Sequence, residues 1–195
     1  MQIEQLQNGG KKMRILVMTS LVVVFAASVT MAADNKHQYV GVQVCSMCHK
    51  TEKSGEQFQK WQSSKHSQAI KVLETPDADK IAAAHGVKGK AADAKECLEC
   101  HQTAYGVDAS LVGPKFSKTD GVQCESCHGA GNDYKTMSTM KDHQKAVAAG
   151  LAALSLDDGS AQRLCETCHN KKSPTFKSFD FKKMWAEISH PVPKQ

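Results

Sequence analysis

All eight cysteines of this chain sit in one repeated unit. Cys-x-x-Cys-His occurs four times, as Cys45-Ser-Met-Cys48-His49, Cys97-Leu-Glu-Cys100-His101, Cys124-Glu-Ser-Cys127-His128 and Cys165-Glu-Thr-Cys168-His169. This is the attachment signature of c-type haem. The spacing follows from the chemistry. Two thiols must reach two vinyl groups on one porphyrin edge, and the next residue must bring an imidazole under the iron. Disulfides suit an exported chain, but they make no demand for His after each second Cys. A zinc ribbon could use Cys97/Cys100 with Cys124/Cys127 and would leave the histidines idle. A thioredoxin-like motif needs one Cys-x-x-Cys beside a βαβ pattern, not four without one. The pattern therefore predicts four covalently bound haem c groups. The eight cysteines are the attachment points, and His49, His101, His128 and His169 are the proximal iron ligands.

Composition agrees with a core that side chains do not fill. Residues 33–195 contain only 25 Leu, Ile, Val and Phe. That is about 15%, below the roughly 20% that a chain usually needs to build an apolar core. Either such a chain is loose or something other than side chains occupies its middle. Four porphyrins answer that need, and the chain is expected to be largely unfolded without them.

The N-terminus reads as a secretory leader. Lys11, Lys12 and Arg14 precede an apolar stretch from Ile15 to Val29, and Thr30-Met31-Ala32 supplies small residues for cleavage. Residues 1–32 are thus expected to be a signal peptide and 33–195 the haem-bearing domain, with a periplasmic location and no stable membrane span after cleavage. The formal charge of +5 belongs to the precursor. Loss of the leader removes about two positive charges. Each haem with ferric iron and two propionates adds about −1, bringing the working molecule near neutral.

Five histidines remain as candidates for the sixth position on iron: His37, His66, His85, His143 and His190. Two axial histidines make a six-coordinate haem suited to electron transfer, whereas an open position permits ligand binding. His66 follows Phe58 and Trp61 on a segment with helical spacing, and Ile70 shares its face. His190 ends a second amphipathic stretch through Phe181, Met184, Trp185 and Ile188, just before Pro191. His143 lies beyond the Gly129-Ala130-Gly131 turn. These three are the expected distal ligands. His85, at the Gly86 end of a helix, can ligate or simply cap that end. His37 lies near the cleavage point, where chain ends are rarely organised. Met137 and Met140 are read as packing residues.

The four motifs, with Trp61 to Ala69 (Trp-x-x-x-x-His-x-x-Ala) and Gly121 to Gly131 around Cys124-Glu-Ser-Cys127-His128-Gly129, resemble the tetrahaem cytochrome c-554 family. The likeness runs from about Tyr39 to His190. The family's known member in ammonia-oxidising bacteria takes electrons from hydroxylamine oxidoreductase. The resemblance implies that His66, His143 and His190 are distal ligands and that His143 closes the haem on His49. It also implies that the haem on His101 has no side-chain sixth ligand. Here the chain departs by carrying His85 before that motif. The segment after His169 is also shorter than the family's.

The motifs are unevenly spaced, with 47, 22 and 36 residues between successive units. Helices are predicted near 54–73, 77–85, 94–102, 140–152, 160–169 and 180–189, with turns at Gly113-Pro114 and Ser173-Pro174. No alternating strand pattern is present. Gly41-Val42-Gln43 and Gly121-Val122-Gln123 form a weak echo, each leading into a motif. The expected fold is a single, compact, mostly α domain with long loops around four haems.

The expected role is that of an exported electron carrier between redox proteins in an anaerobic or nitrogen-linked respiratory chain, rather than an enzyme. The alternative is a haem enzyme that converts nitric oxide, nitrite or hydroxylamine at a five-coordinate second haem. Expected partners are other cytochromes and quinol-oxidising or haem-containing oxidoreductases, and not nucleic acid. Lys171, Lys172, Lys177, Lys182 and Lys183 form either a steering surface for an acidic partner or an ordinary solvated face.

Overall fold

The computed structural model describes residues 37–190, which fall within one compact unit, Asn35–Gln195. The leader read at 1–32 lies outside the described residues, as does Pro191. Ten short helices follow in order: α1 Val42–His49, α2 Gln57–Gln62, α3 Ala69–Leu73, α4 Pro76–Ala84, α5 Lys95–His101, α6 Cys124–His128, α7 Met137–Met140, α8 His143–Ala148, α9 Ser160–Glu166 and α10 Phe181–Ile188. Brief 3-10 turns and long loops join them. Among the described residues there is no strand, only an isolated bridge between Tyr39 and Val112. The fold is mostly α, as the sequence predicts.

Two predicted helices are divided. The stretch 54–73 breaks after α2 because its serines compete for backbone carbonyls. Ser64 Oγ donates to Trp61 O, and Ser67 Oγ donates to Gln62 O and Ser64 O. The result is a 3-10 turn, His66–Gln68, between α2 and α3. The stretch 140–152 breaks at Asp142, whose carboxylate accepts from Lys145 N at 3.1 Å and starts a new helix, α8. Three helices were not predicted: α1 and α6, which carry a motif, and α7, of which only Met140 falls in a predicted stretch.

The side-chain core is thin. Of the eleven buried hydrophobic residues described, six are alanine. The largest fully buried side chains are Gln123 and Val42. A small apolar cluster of Leu73, Ala82 and Ala91 packs with Val87, Cys97 and Leu98, tying α3 and α4 to the second motif.

The echoed tripeptides turn out to touch each other. Val42 N donates to Gln123 Oε1 at 2.8 Å, and Gln123 Nε2 donates to Ser117 O at 2.8 Å. Glycine is required in both. Gly41 has φ +88°, and a Cβ there would stand 2.8 Å from Lys115 O and Phe116 Cα. Gly121 has φ +70°, and a Cβ there would meet His66 O at 2.6 Å.

Candidate haem-binding sites

Each motif sits on or beside a helix of eight residues or fewer. This geometry puts both cysteines near one face and places the histidine about one turn past the first cysteine. All eight thiols are free. Burial raises the pKa of Cys127 to about 11, with Cys165 and Cys168 adding to it. Burial, with Cys168 next, raises Cys100 to about 11. For the pair Cys45 and Cys124, the hydrogen bond between them, followed by burial, pushes the Cys45 thiol up. The same bond holds the Cys124 thiol below its ordinary value, whereas Cys45, Cys100 and Cys127 are held as thiols at neutral pH, the form that adds across a vinyl group.

Sulfur contacts also order the motifs in space. Cys45 of the first unit is hydrogen-bonded to Cys124 of the third, and Cys100 of the second to Cys168 of the fourth. Cys127 of the third unit feels Cys165 and Cys168 of the fourth. The spatial succession is first, third, fourth, second.

Distal candidates meet proximal histidines in two places. The His66 and His169 rings have centroids 6.1 Å apart, and His128 and His190 are 5.8 Å apart. Two imidazoles on opposite sides of one metal ion, each bonded at about 2.0–2.1 Å, have centroids about 6 Å apart. The sequence left open which irons His66 and His190 face, and these ring pairs supply partners for both. Burial lowers the pKa of His66, with His169 second. Burial, then His190, then His49 lower His128 to about 4. Burial also lowers His169. All three rings are therefore neutral at pH 7, with a lone pair available to a metal.

His101 is oriented from behind. Its Nδ1 lies 2.7 Å from Ala69 O, and with the proton on Nδ1 this bond leaves Nε2 as the metal-side nitrogen. His49 Nδ1 is 3.3 Å from Gln57 Oε1. The ring of Phe179 stacks on His169 with centroids 4.7 Å apart and planes 11° from parallel. With Phe176 it walls a cavity of about 430 Å³ that His169 lines. Free thiols in register, neutral imidazoles at metal-spanning distance and backside hydrogen bonds on the proximal rings all fit covalent haem.

The remaining histidines stand elsewhere. His143 is exposed at the first position of α8, and among the described residues no ring contact joins it to His49. His85 is exposed as the C-cap of α4, its backbone N–H on the carbonyls of Ile81 and Ala82. His37, expected to lie in an unorganised terminus, is held instead. Its Nδ1 is 2.6 Å from Asp133 Oδ2, and its ring lies against Gly150. Met137 is exposed and Met140 half-buried.

Residues that sequence reasoning passed over lie around the third motif. Glu125 and Gln123 are 2% and 1% exposed. Thr103 is buried too, accepting from Gln123 N at 2.7 Å and bonding Ser126 Oγ at 2.6 Å. The echo of Gly41-Val42-Gln43 in Gly121-Val122-Gln123 was the only signal that pointed there.

The motif chemistry and the helical frame together define a c-type cytochrome, with covalently bound haem c. Residues 44–129 match the family described as cytochrome c554 and c-prime. Cytochrome c-554 of Nitrosomonas europaea (strain ATCC 19718 / CIP 103999 / KCTC 2705 / NBRC 14298) is 32% identical over 146 residues, covering 70% of this chain and 56% of that protein. The chain belongs to the cytochrome c-554 family. It spans little more than half the length of this curated relative. No solved structure matches it.

Proposed function

We propose that the chain is an exported tetrahaem electron carrier working between redox proteins in an anaerobic or nitrogen-linked respiratory chain. The observation that carries this reading is the pair of facing imidazoles, His66 with His169 and His128 with His190. Two-histidine ligation closes both faces of an iron to substrates and leaves it only an electron to exchange. In this reading His66 is the distal ligand of the fourth haem and His190 of the third. The family resemblance assigns His143 to the first. Bound haem iron supplies one-electron chemistry, cycling between ferric and ferrous.

The chain's own residues do the positioning. Cys45 against Cys124, Cys127 near Cys165 and Cys168, and Cys100 against Cys168 support an electron route in the order first, third, fourth, second. Backside bonds from His101 to Ala69 O and from His49 to Gln57 hold the proximal rings in plane. Lys171, Lys172, Lys177, Lys182 and Lys183 are all exposed and lie in the sequence around and after the fourth motif. They form the face that meets an acidic redox partner. Export by the 1–32 leader places these encounters in the periplasm. Among the described residues no helix is long and apolar enough to cross a membrane.

The test is the mass and the spectrum of the purified protein. Four haem additions retained after denaturation, with mostly low-spin ferric signals in electron paramagnetic resonance, are expected. Fewer than four haems, or a colourless protein, ends the reading.

A second reading keeps a specific support. Among the described residues no ring faces His101, and the His85 side chain is exposed at the end of α4. An open iron at the second haem binds nitric oxide, nitrite or hydroxylamine. A high-spin ferric signal that cyanide abolishes is the result this reading requires.

A further inference from the structure

Glu125 is a carboxylate that haem attachment does not call for. It occupies one of the two free positions between the cysteines of the third motif, where the signature accepts any residue. Yet it is 2% exposed. Its Oε1 accepts from Val40 N at 2.8 Å and from Gly131 N at 2.7 Å, and its Oε2 accepts from Gly41 N at 2.8 Å. Three converging backbone amides are the donor set that suits a carboxylate anion rather than a neutral acid. The counterpart positions in the other motifs are Ser46, Leu98 and Glu166. Glu166 is exposed to water, where its charge is screened. Only the third motif carries a buried anion within its attachment loop.

The field of this anion reaches its neighbours. After burial, Glu125 is the second cause that holds the Tyr39 phenol above its ordinary value. For Tyr134 it acts after burial and Cys45. The same field falls on Cys124, which adjoins Glu125 in the chain, and on any group bound there. It falls on Cys45 as well, so a group bound to the first motif feels it too.

We propose that Glu125 is a fixed negative charge that lowers the reduction potential of the third haem relative to the second and fourth. The inference rests on the tetrahaem reading above. Reduction of the iron on His128 adds one electron and removes one positive charge from the site. A buried anion beside it favours the more positive ferric form, so the electron is accepted less readily. At a separation of about 10 Å and an effective dielectric near 20, the effect is on the order of tenfold in the reduction equilibrium. The second and fourth motifs lie farther along the succession and feel less of it. Electrons reaching the first and third haems would therefore pass on towards the fourth and second.

The experiment is a potentiometric titration of the haem-loaded protein, followed by paramagnetic NMR so that each haem is assigned. Glu125→Gln keeps the shape and removes the charge. Glu125→Asp keeps the charge and loosens the hydrogen bonds. The expected result is that Gln raises the third potential by an amount equal to about a tenfold change in its equilibrium. The first potential rises as well, the second and fourth stay in place, and Asp leaves all four nearly unmoved. Equal shifts in the Gln and Asp variants, or none in either, overturn the proposal and leave Glu125 a structural clasp.

Because Glu125→Gln could fail to assemble, the unaltered protein supplies a second reading. In a redox-difference infrared spectrum with isotopically labelled glutamate, a carboxylate band must shift as the third haem is reduced. Absence of that band, or a band of a protonated acid in its place, overturns the proposal. A protein with fewer than four haems breaks the tetrahaem reading instead. Four haems with unmoved potentials break this inference alone.

Discussion

The first and third motifs are built on a buried polar clasp, whereas the fourth is held by aromatic stacking at the surface. Around the third motif, Val40, Gly41, Val42 and Gly131 all give their amides to Gln123 or Glu125, and Thr103 braces Gln123 from the other side. Asn132 N donates to Gln38 O, and Tyr39 pairs with Leu111 and Gly113. The N-terminal segment is thereby pinned to residues about 70–90 positions away before any cofactor is considered. Around the fourth motif, His169 is exposed, Phe179 lies flat on it, and α10 presents no buried residue. One site is prepared by the polypeptide, the other depends on what it binds. The physical reason is that a buried carboxylate with three amide donors stabilises its surroundings by itself, while an amphipathic helix needs an apolar partner for its inner face.

The largest expected effect comes from leaving the haems out. Expressed without haem attachment, the chain should show no cooperative thermal transition. A sharp transition in calorimetry would mean the clasp alone folds the domain and that the contrast between the sites is greater than described. Next, Glu125→Ala strands three buried amides and should cost about 3–5 kcal/mol in denaturant unfolding of the loaded protein. Phe179→Ala at the fourth site should cost only about 1 kcal/mol. Equal costs would erase the distinction.

His66→Ala should convert the fourth haem, and His190→Ala the third, from low spin to high spin, each adding one high-spin ferric signal. A signal unchanged in either variant breaks the corresponding ring pairing. Acid comes next. Burial and neighbouring rings hold the His128 pKa at about 4, below its ordinary 6.5, with His66 and His169 lowered in the same direction. As pH falls below 6.5, the unfolded chain takes up protons that the folded chain refuses. Stability is therefore full above pH 6.5 and declines between 6.5 and 4. The fall should be followed by loss of the low-spin band, and a flat response across that window contradicts the neutral-ring arrangement. The smallest effect belongs to Asp133→Asn, which breaks the partly exposed contact with His37 and should cost no more than about 1 kcal/mol in thermal unfolding.

The attachment chemistry was legible in the sequence because it is local. A Cys-x-x-Cys-His unit carries both thiols and the proximal ligand within five residues. His66 and His190 were legible as candidate distal ligands from the apolar residues around them. Their partners were not, because His66 and His169 are 103 positions apart, and no local pattern states which rings face each other. Helix boundaries failed where side chains override periodicity, at Ser64 and Ser67 and at Asp142. The clasp was hidden for the same reason that it works. Glu125 and Gln123 read as ordinary surface polar residues, and only the folded chain shows the amides of residues 40–42 converging on them.

The sequence by itself determined the kind of cofactor, the number of sites the motifs offer and the poverty of the side-chain core, because covalent spacing and composition survive without a fold. The tertiary structure decided the order of the motifs in space, the facing of His66 to His169 and of His190 to His128, and the burial of a carboxylate inside one attachment loop. Those are relations between distant segments. They come into being only when the backbone amides, the thiols and the imidazoles are brought within a few ångströms of one another.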